Sequence, residues 1–128
     1  MTLKRIFTEN APKPFSNYSQ AVVIPAGSRI LHVAGQVGAR LDGSVPEDER
    51  EQHELAWANV LAILAAEGMT EANLVDCHVF ITNPASVALY REVRDKALKG
   101  ARPAATLLVV AGLALPTLMV EVSAVAAG

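Results

Sequence analysis

Aromatic residues are scarce in this chain, at 5% of 128 residues against 52% hydrophobic residues overall. A core built from such a sequence must rest on Ala, Val and Leu. Cysteine is scarcer still. Cys77 stands alone, which excludes an internal disulfide and fits a reducing, cytoplasmic setting. No base or helix N-terminus adjoins it to lower its pKa, so it reads as a core residue. A dominant charge is also missing: 13 acids against 11 bases give a net charge of −2. The bases are scattered from Lys4 and Arg5 to Lys99 and Arg102 and form no stripe interleaved with aromatics, so nucleic acid is not an expected partner. Metal chemistry has no signature, because His32, His53 and His78 are isolated in the sequence. His53, in a charged helical start, reads as solvated, and His32 as a hydrogen-bonded strand residue. Ala34-Gly35-Gln36-Val37-Gly38 lacks the rest of any nucleotide-binding fingerprint, and there is no GxSxG elbow. The N-terminus has bases but no apolar run, so it does not resemble a secretory signal.

What is present begins with an uncharged run, Pro103 to Val120. Its length alone would suit a membrane span. Pro103, Gly112 and Pro116 break it, however, and its Val and Thr content suits strands. Two buried strands joined by an Ala111–Pro116 turn are expected, and no membrane partner. Glu121 follows at once between Val120 and Val122. A carboxylate buried there without a partner would cost several kcal/mol, so it must reach a ligand, a partner or water.

The length fits one domain over 1–128. Leu3 to Thr8 reads as a short edge strand. Tyr18 to Ile24 and Ile30 to Val37 read as a hairpin through the Pro25–Ser28 turn, and Gly35 and Gly38 suggest a bulge or close backbone approach. Acids at Glu47, Asp48 and Glu49 open a helix whose stripe is Trp57, Val60, Leu61 and Leu64, ending at Gly68. A strand from Leu74 to Thr82 leads to a second helix, capped by Thr82 or Asn83 with Pro84 at its first position. Its buried stripe is Val87, Tyr90, Val93 and Ala97. Strands near Ala105–Val110 and Leu118–Ala124 complete an α+β fold with two helices on one face of a mixed six-stranded sheet. The other face has no third helix to cover it, so packing against further copies of the chain is expected.

Several segments together resemble the Rid family, the reactive-intermediate deaminases also called the YjgF family. They are Thr8-Glu9-Asn10-Ala11-Pro12, Tyr18-Ser19-Gln20-Ala21, Val33-Ala34-Gly35-Gln36-Val37, Ala58-Asn59-Val60, Arg102-Pro103-Ala104 and Val120-Glu121-Val122. The resemblance spans essentially the whole chain. It implies a chorismate-mutase-like fold, a homotrimer with clefts between subunits, and hydrolysis of small enamines or imines without a cofactor. Carried over residue by residue, Tyr18 matches the family's cleft tyrosine and Glu121 its water-orienting glutamate. Gly35 and Gln36 match residues that follow a cleft serine, but that serine is Ala34 here. The cleft asparagine is Val87, the substrate-binding arginine is Ala105, and a frequent cysteine is Leu107.

The loss at Ala105 has a direct cost, since a charge-assisted hydrogen bond contributes about 1.5–3 kcal/mol and a bidentate arginine supplies two. The resemblance thus points to an arginine-lacking subgroup, and against archetypal 2-aminoacrylate deaminase activity. Ala105 and Glu121 are expected to approach one cleft, with His32 or Arg102 the candidates to replace the missing cation. The alternative is a small-molecule-binding or chaperone-like trimer without catalysis. Endoribonuclease activity, a label attached to the family, finds no support in the acidic balance.

Overall fold

A computed structural model describes residues 2–128. The elements run β1 (Lys4–Ile6), β2 (Ala21–Val23), β3 (Ile30–Val37), α1 (Glu49–Ala66), β4 (Leu74–Ile81), α2 (Val87–Leu98), β5 (Ala104–Val109) and β6 (Val120–Ala127). Short 3-10 turns at Glu71–Asn73 and Pro84–Ser86 precede β4 and α2 respectively. The α+β class and the expected element order hold. Asp48 caps α1 by accepting from the Glu51 N–H at 2.9 Å, and Glu49 and Glu51 occupy the positive end of its dipole. Beyond α1, Gly68 takes φ +72°, the left-handed turn that a glycine permits without strain. Asn83 caps the 3-10 turn that Pro84 opens.

The strands pair differently from the expectation. They form a two-stranded ribbon, β1-β2, and a separate four-stranded sheet in the order β3-β6-β4-β5. The hairpin expected between Tyr18–Ile24 and Ile30–Val37 is absent. Only Ala21–Val23 is strand, and it pairs with β1. The reason is a competition between local and distant partners. Gln20 gathers the preceding loop, accepting from the Thr8 N–H and donating to the carbonyls of Thr8 (3.1 Å) and Pro12 (2.8 Å), which holds β2 beside β1. β3 meanwhile starts against the C-terminus, where Arg29 and Gly128 exchange backbone hydrogen bonds of 3.0 and 3.1 Å, and continues along β6.

The two strands of the uncharged run are likewise not partners of each other. β5 lies parallel to one edge of β4 and β6 antiparallel to the other, with the connection 110–119 passing round the end of β4. Only β6 is central. β5 is the edge strand, and its Thr106, Leu108 and Val109 are exposed rather than buried.

Both helices cover one face of the larger sheet. Trp57, Val60 and Leu64 of α1, with Tyr90, Val93 and Leu98 of α2, share a single core with Cys77, Val79 and Ile81 of β4 and Val122, Ala124 and Ala126 of β6. His53 is a correction: it is fully buried on α1, not solvated. Its Nε2 lies 3.5 Å from Glu49, but neither ring nitrogen makes a hydrogen bond. Burial holds its pKa below the usual imidazole value, with Glu49 opposing that shift only in part. Gly38 is required by close approach, because a Cβ there would overlap the backbone of Gln52. Gln52 in turn donates to the carbonyls of Pro46 and Thr117 and accepts from the Met119 N–H, each at 2.9 Å, which ties α1 to the end of the β5–β6 connection.

Candidate functional site

The residues singled out in the sequence fall into two groups on opposite sides of the sheet. The first lies where β3 meets β6. The β3–β6 register slips between Val33 and Gln36, so Ala34 and Gly35 form the expected bulge. Gln36 folds back to donate to the Ala34 carbonyl at 3.1 Å. The Glu121 carboxylate lies across Gly35 so closely that a Cβ there would overlap it. Glu121 is partly exposed and pairs with Phe80 of β4, on the sheet face away from the helices. Within the chain it makes no ion pair or hydrogen bond among the described residues, so its oxygens are free to accept.

The second group surrounds β5. Ser19 bridges to Ala104 in parallel fashion, its N–H donating to the Pro103 carbonyl at 3.0 Å, and this carries Tyr18 alongside β5. Tyr18, Ala105 and Leu107 line one cavity of about 260 Å³ with Ser16, Arg91 and Arg94. The Tyr18 hydroxyl accepts from the Phe15 N–H at 3.1 Å. Arg94 is buried. It donates from Nε and Nη2 to Asp95 at 3.0 and 2.9 Å and from Nη1 to Ser16 at 3.3 Å, and it stacks 5.2 Å from the Tyr90 ring centre. Val87 packs at the core margin one turn before Tyr90 and does not reach the cavity.

A single chain therefore does not bring Ala105 and Glu121 together. Ala105 pairs with Cys77, which faces the helices, and Glu121 with Phe80, three residues on, which faces away. Neither His32 nor Arg102 stands beside Ala105. His32 lies on the open sheet face with Asp76 and His78, and Arg102 stacks on Phe7 at 5.0 Å. The cations that do stand there, Arg91 and Arg94, escaped the sequence reading because they belong to α2. Their spacing three apart, one and four residues after Tyr90, was the available signal of a shared helix face.

Cys77 is buried as expected, and burial pushes its thiol up to about 12, which leaves it without nucleophilic character in the fold. His78 points the other way, 2.9 Å from Asp76. No group of three or more metal-ligating side chains exists among the described residues. No helix among them is long and apolar enough to cross a membrane.

Comparison with known proteins supplies the relationship. The family described as Endoribonuclease L-PSP matches residues 8–128. Protein DfrA of Myxococcus xanthus is 34% identical over 98% of this chain and 96% of its own length. The 2-iminobutanoate/2-iminopropanoate deaminase of Dermatophagoides farinae is 33% identical over 65% of each chain. A Rid-family protein of unknown function from Yersinia pestis superposes with a TM-score of 0.87 at 30% identity, covering 98% of both chains. With the fold and these matches in agreement, the chain belongs to the Rid (YjgF) family.

Proposed function

We propose that this protein is a cofactor-free hydrolase of small imines or enamines, working in clefts that form between chains of a homotrimer. The observation that carries the reading is the Glu121 carboxylate, laid over Gly35 at a partly exposed site with no cation to neutralise it among the described residues. Such a group accepts a proton from water and aims the water oxygen. Tyr18, on the other side of the sheet, positions the substrate in the cavity beside Ala105. The two groups lie on opposite faces of one chain, so a cleft containing both takes one from each of two copies. The deaminase similarity at 33% identity supports the reaction class.

In the proposed reaction the water oxygen bonds to the C=N carbon while Glu121 takes a water proton, and the π pair moves to nitrogen, which receives that proton back from Glu121. The hydroxyl proton of the carbinolamine then passes through Glu121 to the nitrogen, the C–N bond breaks to release ammonia, and the C–O bond becomes the carbonyl. One imine and one water give one carbonyl compound and one ammonia. Glu121→Gln keeps the shape but cannot accept a proton, so kcat is expected to fall by about a hundredfold or more with the fold unchanged. Ammonia release from imines generated in situ by an amino-acid oxidase is the measurement. Undiminished turnover in the variant would sink this mechanism.

A second reading is favoured by the apolar residues at Ala34, Ala105 and Leu107: a trimer that binds small molecules, or shields unfolded clients, without turnover. Ligand binding by the wild-type protein with no ammonia released from any imine of a panel would select it. A reducing, cytoplasmic setting suits the lone Cys77 under either reading.

A further inference from the structure

We propose that Arg91 supplies the anion grip of this cleft, so that the substrates are small monocarboxylates bearing the reactive imine next to an apolar arm. The assignment rests on the reading of the cleft as an imine hydrolase.

The cavity beside Ala105 is already lined by two arginines, both from α2. Their states differ. Arg94 is buried and committed: its charge is offset by Asp95, which is itself held by the Asn17 amide at 3.0 Å, and its remaining bonds fix Ser16 in the wall. Arg91 is partly exposed and, among the described residues, has no hydrogen bond and no ion pair. Elsewhere on the molecule Arg29, Arg40 and Arg50 each hold a carboxylate, Glu67, Glu51 and Glu92 respectively. Glu92, the acid next to Arg91 in sequence, is turned to Arg50 and is not available to it. No acid is among the residues lining the cavity, and Asp95, next to Arg94 in sequence, is occupied by it. The cavity thus keeps one uncompensated positive charge in a polar mouth, which suits a carboxylate that a guanidinium can bind through two parallel hydrogen bonds.

Ala105 and the α2 arginines also fit together physically. A long cationic side chain on β5 at position 105 would enter the same cavity as Arg91 and Arg94 and meet like charge there. Alanine leaves that space open and lets the cation come from the helix. The remaining wall is apolar: Leu107 on β5 and the rings of Tyr18 and Tyr90. About 260 Å³ accommodates a carboxylate with a short branched or unbranched carbon arm. Moving the grip from strand to helix shifts where the carboxylate sits, so the preferred acids differ from those that an arginine at 105 would select.

The test uses the stable product analogue 3-methyl-2-oxobutanoate and its uncharged counterpart 3-methyl-2-butanone, with the intact protein. Binding is followed by titration calorimetry for wild type, Arg91→Ala, Arg91→Lys and Glu121→Gln. The oxo acid is expected to bind wild type at least about tenfold more tightly than Arg91→Ala, with Arg91→Lys between them. The ketone should show no such difference, and Glu121→Gln should retain oxo-acid binding while losing turnover. In steady state Arg91→Ala should raise KM for imino acids with less effect on kcat. Equal oxo-acid binding by wild type and Arg91→Ala, or none by wild type at millimolar concentration, would overturn the proposal. If those failures accompany Glu121-dependent turnover of neutral imines, the hydrolase reading survives alone. If Arg91-dependent binding is found without turnover of any imine, the anion subsite stands and the hydrolase reading fails.

Discussion

Glu121 and Gly35 define each other at the level of single residues. The carboxylate occupies the space that any side chain at 35 would need, so a glycine there is a condition for the glutamate's position, not merely a point of backbone freedom. Gly35→Ala should therefore act on chemistry more than on stability. The displaced atoms are the far end of a flexible side chain at a partly exposed site, and Glu121 can swing aside. The expected outcome is a fall in turnover of about tenfold or more with a melting temperature within about 3 °C of wild type. Parallel ammonia-release and thermal-melt measurements check it. Normal turnover would mean that Glu121 works from another rotamer.

The face that α1 turns inward is not wholly apolar. Glu49, His53 and Trp57 follow one another at i, i+4 and i+8, and the buried His53 nitrogens and Trp57 Nε1 have no hydrogen-bond partner. The consequence is a pH dependence of known sign. Burial lowers the folded-state pKa of His53, while the unfolded chain protonates at its ordinary value near 6.5. Below that value the unfolded state takes up a proton that the folded state refuses, so stability is lost as pH falls and is unaffected well above it. The slope from this one group approaches about 1.4 kcal/mol per pH unit at most. Denaturant unfolding between pH 7.5 and 5.5 should show the decline in wild type and a flatter profile in His53→Leu. Equal slopes in the two proteins would mean that His53 is protonated within the fold.

At the scale of the whole molecule, no helix among the described residues covers the second face of the main sheet. Ile30 on β3 and Leu108 on β5 are 55% and 49% exposed there, and β5 beyond its bridge to Ser19 at Ala104 offers an open edge. Exposed apolar residues on an uncovered sheet and an open strand edge together mark a surface for association. The proposed clefts need it, since one chain keeps Tyr18 and Glu121 apart. Sedimentation equilibrium should give three times the chain mass at micromolar concentration. A mass of one chain, with turnover intact, would remove the inter-chain cleft.

Much of this was legible in the residues taken in order. Helix starts, caps and stops follow from local chemistry: Asp48, Asn83, Pro84 and Gly68 act within a few residues of where they stand. The α+β class, the bulge at Gly35, the buried Cys77 and the resemblance carried by short motifs are local in the same sense. Strand pairing is not local. Whether β2 joins β3 or β1 depends on Gln20 gathering the loop before it and on Gly128 meeting Arg29, partners distant in sequence. The burial of His53 beneath a charged-looking helix start is decided in the same way. So is the site. The sequence by itself determined that position 105 carries no cation and that Glu121 follows an apolar run. Only the tertiary structure decided that α2 brings Arg91 and Arg94 to Ala105 while the sheet holds Glu121 on its other face, because side-chain alternation and helix packing set direction, which residue order alone leaves open.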